Sequence, residues 1–162
     1  MAGPEAATAP AMRIYTSEER ARRDATPWTI VQGVLAPLQF LVFIVSLALV
    51  LRYLTTGSGY EAATISIVLK TGVLYAIMIT GSIWEKVVFG KWLFARPFFW
   101  EDVFSFVVIA FHTLYIWALF DGTWSPEQLM TIALAAYVAY VINAGQFLRK
   151  LRLARREAGV TA

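Results

Sequence analysis

The sequence contains no cysteine and one histidine, His112. Without thiols the chain can form no disulfide, no thiolate nucleophile and no cysteine-held zinc or iron–sulfur site. A haem held by two histidines of the same chain and a three-histidine metal centre are equally excluded. Charge is scarce too. Only 15% of the 162 residues are Asp, Glu, Lys or Arg, where a soluble domain carries about 25%. Glycine patterns that cradle phosphate are missing, so nucleotide binding has no support. What the chain has in excess is apolar: 59% hydrophobic residues and a mean hydropathy of +0.61. A soluble fold of this size could not bury that much Leu, Ile, Val and Phe, which leaves a membrane protein.

The rare charges divide the chain into segments. Crossing a bilayer core of about 30 Å takes about 20 apolar residues in a helix. Between Asp24 and Arg52 lie 27 uncharged residues, and three further apolar stretches follow. The expected fold is all-α, an integral membrane four-helix bundle with spans at about 33–53, 63–84, 102–120 and 128–148. Residues 1–12 read as a disordered tail, 13–152 as the transmembrane domain and 153–162 as a C-terminal tail. The stretch SEERARRDATPW reads as a short interfacial helix entering the membrane near Trp28, and Pro37 falls near the start of the first span. Lys70, the one charge inside the second span, is expected to reach back to the interface along its own stem.

Twelve of the fourteen basic residues fall before the first span, between the second and third, or after the fourth. That asymmetry places both termini and the 85–102 loop in the cytoplasm, and it requires an even number of spans. It also accounts for the predicted isoelectric point near 9.3 through contact with anionic lipid, with no need of nucleic acid. Trp28, Trp84, Trp92, Trp100 and Trp124 lie near span ends, as an aromatic belt requires, and Trp117 is the exception. Gly33, Gly72, Gly81 and Gly145 are expected to let helices approach closely.

Polar residues inside the spans form lines. Glu101, Ser105 and His112 recur at i, i+4 and i+11, which puts them within about 40 degrees on one helix face. Thr71, Met78, Ser82 and Glu85 form a second line, Gln32, Gln39 and Ser46 a third, and Tyr140, Asn143 and Gln146 a fourth. With helices alternating in direction, Gln32, Gln39, Glu85, Glu101, Asp102, Asn143 and Gln146 gather in the cytoplasmic half with His112 deeper. This describes a cavity open to that leaflet. Each group also has a plainer reading: Glu85, Glu101 and Asp102 as interfacial or helix-start charges, Asn143 and Gln146 as interhelical hydrogen bonders. Carboxyl groups and an imidazole beside an apolar pocket can move protons without a cofactor. Addition of water, isomerisation and binding without chemistry all remain open at this level.

The strings PWTIVQGVLAPLQFLVF (27–43), TGSIWEKVVFG (80–90), LFARPFFWEDVFSFVVIAFHT (93–113) and YVINAGQFLRKLR (140–152) together resemble the 3-vinyl bacteriochlorophyllide hydratase family of photosynthetic bacteria. The resemblance covers about residues 13–152. It implies addition of water to the C3 vinyl group of a magnesium chlorin or bacteriochlorin, giving the 3-(1-hydroxyethyl) product of bacteriochlorophyll a biosynthesis. No cofactor is implied, since magnesium arrives within the substrate macrocycle. Glu85 or Glu101 would act as general acid, with the other carboxylate or Asp102 activating water. His112 would relay a proton or ligate the substrate's magnesium axially. Gln39, Asn143 and Gln146 would bond ring substituents or water, and Lys86 or Arg149 would pair with the propionate.

The expected partners are this tetrapyrrole, lipid, and a second copy of the chain or other pigment-biosynthesis enzymes. The expected location is the inner or intracytoplasmic photosynthetic membrane. The rival reading is a pigment carrier or assembly factor that binds the macrocycle unchanged. A proton-linked transporter is a third.

Overall fold

Thr16 opens the first helix with a reciprocal cap. Its Oγ1 accepts the N–H of Glu19 at 3.2 Å while Glu19 Oε2 accepts the N–H of Thr16 at 2.7 Å, so two unpaired donors are satisfied at once. The computed structural model describes residues 13–160, and the tail expected over 1–12 lies outside them. Five helices follow: α1 (Ser17–Ala25), α2 (Pro27–Thr56), α3 (Tyr60–Phe89), α4 (Phe99–Asp121) and α5 (Pro126–Val160), with a 3-10 turn at Arg96–Phe98 before α4. No strand occurs among the described residues. Four segments are long and apolar enough to cross a membrane: Pro27–Thr56, Tyr60–Phe89, Arg96–Asp121 and Pro126–Gly159. This is a multi-pass, all-helical membrane protein.

The helices outrun the apolar stretches at both ends, because a charge marks the edge of the hydrocarbon and not the end of hydrogen bonding. Helix α2 starts where Thr26 caps the N–H of Trp28 and Pro27 occupies the first turn. It stops at Gly57, which is left-handed at φ 70. Helix α5 continues through the Arg- and Lys-rich run beyond residue 148, where Leu, Ala, Arg and Glu are strong helix formers. Pro37 is not near the helix start. It lies in the third turn of α2, where its ring nitrogen cannot donate to the Gly33 carbonyl.

Helix α2 pairs along its length with α3, and α4 with α5, giving two antiparallel hairpins joined by narrower α2–α5 and α3–α4 seams. Val50, Ile67, Leu74, Val108 and Met130 fill the shared core, and Ala63, Ala118, Ala133 and Ala136 let the backbones approach. Of the four glycines expected to do this, only Gly81 faces a neighbour, Gln32; Gly33, Gly72 and Gly145 meet open space. Phe40, Leu41, Val45, Leu69, Val138 and Val141 turn outward, as lipid contact requires. Trp117 is outward as well and packs edge-on against Trp124.

A smaller cluster of Ile14, Tyr15, Val88 and Phe98 closes one end. There Arg22 Nε donates to the Val88 carbonyl at 2.9 Å and the N–H of Ile14 donates to Glu157 Oε2 at 3.2 Å. Both ends of the described chain therefore meet at the end of the bundle that carries the basic residues.

Candidate functional site

The loop between α3 and α4 folds back over this basic end, and two carboxylates hold it. The N–H of Phe94 donates to Asp102 Oδ2 at 2.7 Å, and the N–H of Ala95 donates to Glu85 Oε2 at 3.1 Å. Phe94 adopts φ 59, left-handed and costly for a bulky side chain. The hydrogen bond to Asp102 holds it there. The Glu85 and Asp102 carboxyl groups also lie within hydrogen-bonding reach of one another, and both are buried.

Glu101, the next residue to Asp102, turns toward α5. Its Oε1 lies 3.7 Å from Lys150 Nζ, which also donates to the Pro97 carbonyl. Four residues on, Ser105 Oγ donates to the Glu101 carbonyl and accepts from Asn143 Nδ2, each at 2.8 Å. Asn143 Oδ1 has no partner. The carboxyl groups expected to act together are thus divided into a contacting pair, Glu85 and Asp102, and an ion pair, Glu101 and Lys150.

His112 is fully buried in α4. Its Nδ1 lies 2.8 Å from the Val108 carbonyl, which can only accept, so Nδ1 carries the proton. Nε2 is then a bare acceptor with no partner. The ring sits 5.9 Å from that of Tyr137, whose hydroxyl bonds Ser46 Oγ at 2.5 Å, and Ser46 Oγ in turn bonds Ser66 Oγ at 2.7 Å.

Lys70 does not reach the interface. It is wholly enclosed, with its ammonium 3.7 Å from the Tyr140 ring centre and 5.8 and 6.0 Å from those of Phe43 and Tyr137. Three aromatic faces stabilise a cation enough to draw the stem inward. Its Nζ has no hydrogen-bond partner.

The remaining expected residues divide. Gln39 and Gln146 keep an unpartnered, buried side-chain oxygen, so they do face inward. Lys86 donates to the Gly90 carbonyl at 3.0 Å and lies over Trp92, closing the end of its own helix. The expected open mouth is instead covered by protein. Shallow cavities of about 370 and 410 Å³ at this end are lined by Arg13, Tyr15 and Arg20 and by Leu148, Arg149 and Arg152, outside the polar interior. Sequence reasoning missed Lys150 and Tyr137 as members of the interior. Tyr137 is three residues before Tyr140 and continues its line, which is the one signal that pointed to it.

Residues 15–153 match the family model described as 2-vinyl bacteriochlorophyllide hydratase. The chain belongs to the 2-vinyl bacteriochlorophyllide hydratase family. The hydratase of that name from Cereibacter sphaeroides is 69% identical over 153 residues, covering 94% of each chain. The one from Rhodobacter capsulatus is 71% identical over 146 residues, covering 90% of this chain and 84% of the relative. The vinyl position numbered 2 in these names is numbered 3 in the other convention for the macrocycle. No solved structure matches the chain. The hydratase family match takes in the whole polar interior from Gln39 to Lys150.

Proposed function

We propose that this protein adds water to the vinyl group of a magnesium bacteriochlorophyllide or chlorophyllide, producing a 1-hydroxyethyl substituent within bacteriochlorophyll biosynthesis. The observation that carries this reading is the family match, which leaves almost none of the chain unaccounted for. The fold supports it with an apolar bundle whose interior holds proton-transfer groups.

A proton is delivered to the terminal vinyl carbon, leaving positive charge on the carbon attached to the conjugated ring, which delocalises it. Water attacks that carbon and gives up a proton. Glu85 and Asp102 suit both steps: one carboxyl donates a proton, and the pair takes one back from the attacking water, so it ends as it began. Glu101 is held as the ionic partner of Lys150 and is left out of the acid role. The bare Nε2 of His112 suits axial ligation of the substrate's magnesium better than relay.

Asp102 and His112 are about 15 Å apart along α4 at 1.5 Å per residue. Side chains lean toward their own helix N-terminus, so His112 leans toward the basic end and Glu85, on antiparallel α3, leans toward His112. Glu85 is therefore the carboxyl brought nearer to His112, whereas Asp102 leans toward the basic end, where it takes the Phe94 N–H. Asn143, Gln39 and Gln146 offer their unpartnered oxygens to water or ring substituents. The basic end faces the cytoplasm, in the inner or intracytoplasmic photosynthetic membrane.

The test is turnover of the magnesium vinyl macrocycle by the membrane-reconstituted protein in oxygen-18 water. The expected product is heavier by one labelled water. Binding that shifts the pigment's absorbance with no mass gain would overturn the hydratase reading in favour of a carrier.

A further inference from the structure

Lys70 is the one lysine enclosed in the bundle, and no carboxylate answers it. Lys70 takes part in neither the Arg23–Asp24 nor the Lys150–Glu101 ion pair. Around its ammonium stand the rings of Phe43, Tyr137 and Tyr140, which attract a cation through their faces and offer Nζ no hydrogen-bond acceptor. A charged group at membrane depth is costly to keep, and deeper still when three donors go unused. Lys70 neither reaches the interface nor finds a hydrogen-bond partner among the described residues.

We propose that Lys70 is the anchor for a free carboxylate on the substrate macrocycle, so that this residue selects the unesterified pigment. This rests on the hydratase reading and deepens it. A bacteriochlorophyllide differs from the esterified pigment in having a free propionic acid, the one full negative charge at its edge. Placement agrees with this. Tyr140, under the ammonium, is one turn of α5 from Asn143; Asn143 bonds Ser105, which is one turn of α4 from Asp102. Lys70 and Glu85 are 15 residues apart on α3, about 22 Å along the axis, a gap that the lysine stem, the macrocycle with its propionate arm and the glutamate side chain together span. One bound ring can therefore lay its carboxylate on Lys70 while its vinyl edge meets Glu85 and Asp102. The aromatic box excludes water, which strengthens the pairing and makes an ester, with no charge to offer, a poor substitute.

The experiment titrates the reconstituted full chain with the magnesium vinyl chlorin as free acid and as methyl ester, following the absorbance shift, and measures KM and kcat for both. Wild type is expected to favour the acid by about 30-fold or more. Lys70→Met and Lys70→Gln are expected to bind acid and ester alike, at the affinity wild type shows for the ester, which also reports a folded protein. Lys70→Arg is expected to keep the preference. Equal binding of acid and ester by wild type, or a preference that survives in Lys70→Met, overturns the assignment. If wild type hydrates neither compound, the hydratase reading fails, while the binding titration still decides the role of Lys70.

Discussion

Asp102 holds Phe94 in a left-handed conformation through one hydrogen bond of 2.7 Å from the Phe94 N–H. The same carboxyl group lies beside Glu85, so clamping the loop and the proposed proton transfer fall to one residue. The two duties separate on substitution. Asp102→Asn keeps an oxygen to accept the Phe94 N–H and loses the titratable proton. It is expected to retain the folded state in a thermal melt and lose about 10²- to 10⁴-fold in kcat. Asp102→Ala removes the acceptor as well and costs a further 1–3 kcal/mol or so of stability. Near-normal turnover in Asp102→Asn would leave this carboxyl with the clamp alone.

Glu85→Gln makes the same distinction from the other side of the loop. Its amide oxygen can still accept the Ala95 N–H, and its amide cannot share a proton with Asp102. The expected result is a kcat loss of similar size with KM little changed, measured by product formation. The double variant Glu85→Gln with Asp102→Asn should lose no more than about either alone, because groups acting as a unit are not additive. Losses that multiply would mean that the two act independently.

With Nδ1 fixed on Val108, His112 presents a single lone pair to the interior. His112→Ala is expected to abolish the absorbance shift that axial ligation gives a magnesium macrocycle, and added imidazole should restore it in part. A metal-free macrocycle should bind wild type and His112→Ala equally. If the variant instead keeps the shift and loses only turnover, His112 serves proton transfer and not ligation.

What could be read from the residues was what repeats along one helix. Glu101, Ser105 and His112 share a face by their spacing, and the structure buries all three. Partners on other helices left no such trace. Lys70 could equally run along its own helix to the interface or turn inward, and the choice was made by Tyr137 and Tyr140 on a helix nearly 70 residues later. Lys150 counted only toward the charge asymmetry, yet it lies against Glu101. Helix ends were blurred for a related reason. Hydropathy falls at the first charge, while the hydrogen-bonded ladder runs on to caps such as Gly57 and Gly90.

The Glu101–Lys150 pair lies between the surface and the interior, with the lysine side chain 27% exposed and the glutamate 9%. A pair of this kind sits between the small value of exposed ion pairs and the large penalty for stranding a buried charge. Lys150→Met is expected to destabilise the bundle by about 1–3 kcal/mol. Glu101→Gln in the same chain should recover most of that by removing the stranded charge. Denaturation of the three proteins in one detergent checks it; a double variant less stable than Lys150→Met alone would show that the pair is not the cause.

Because the chain has no cysteine, its orientation can be measured with single introduced thiols and no background. The turns at Ser58 and Thr123 lie at the end of the bundle opposite the basic residues, and both are exposed. Lys91 and Arg155 are exposed at the basic end. If the basic end is held in the cytoplasm, a membrane-impermeant maleimide added to intact spheroplasts should label Ser58→Cys and Thr123→Cys. Lys91→Cys and Arg155→Cys should react only after the membrane is opened. The reverse pattern would place the basic end outside, against the charge asymmetry. Labelling of Ser58→Cys and Lys91→Cys from the same side would break the antiparallel α2–α3 hairpin on which the meeting of Glu85 with Asp102 depends.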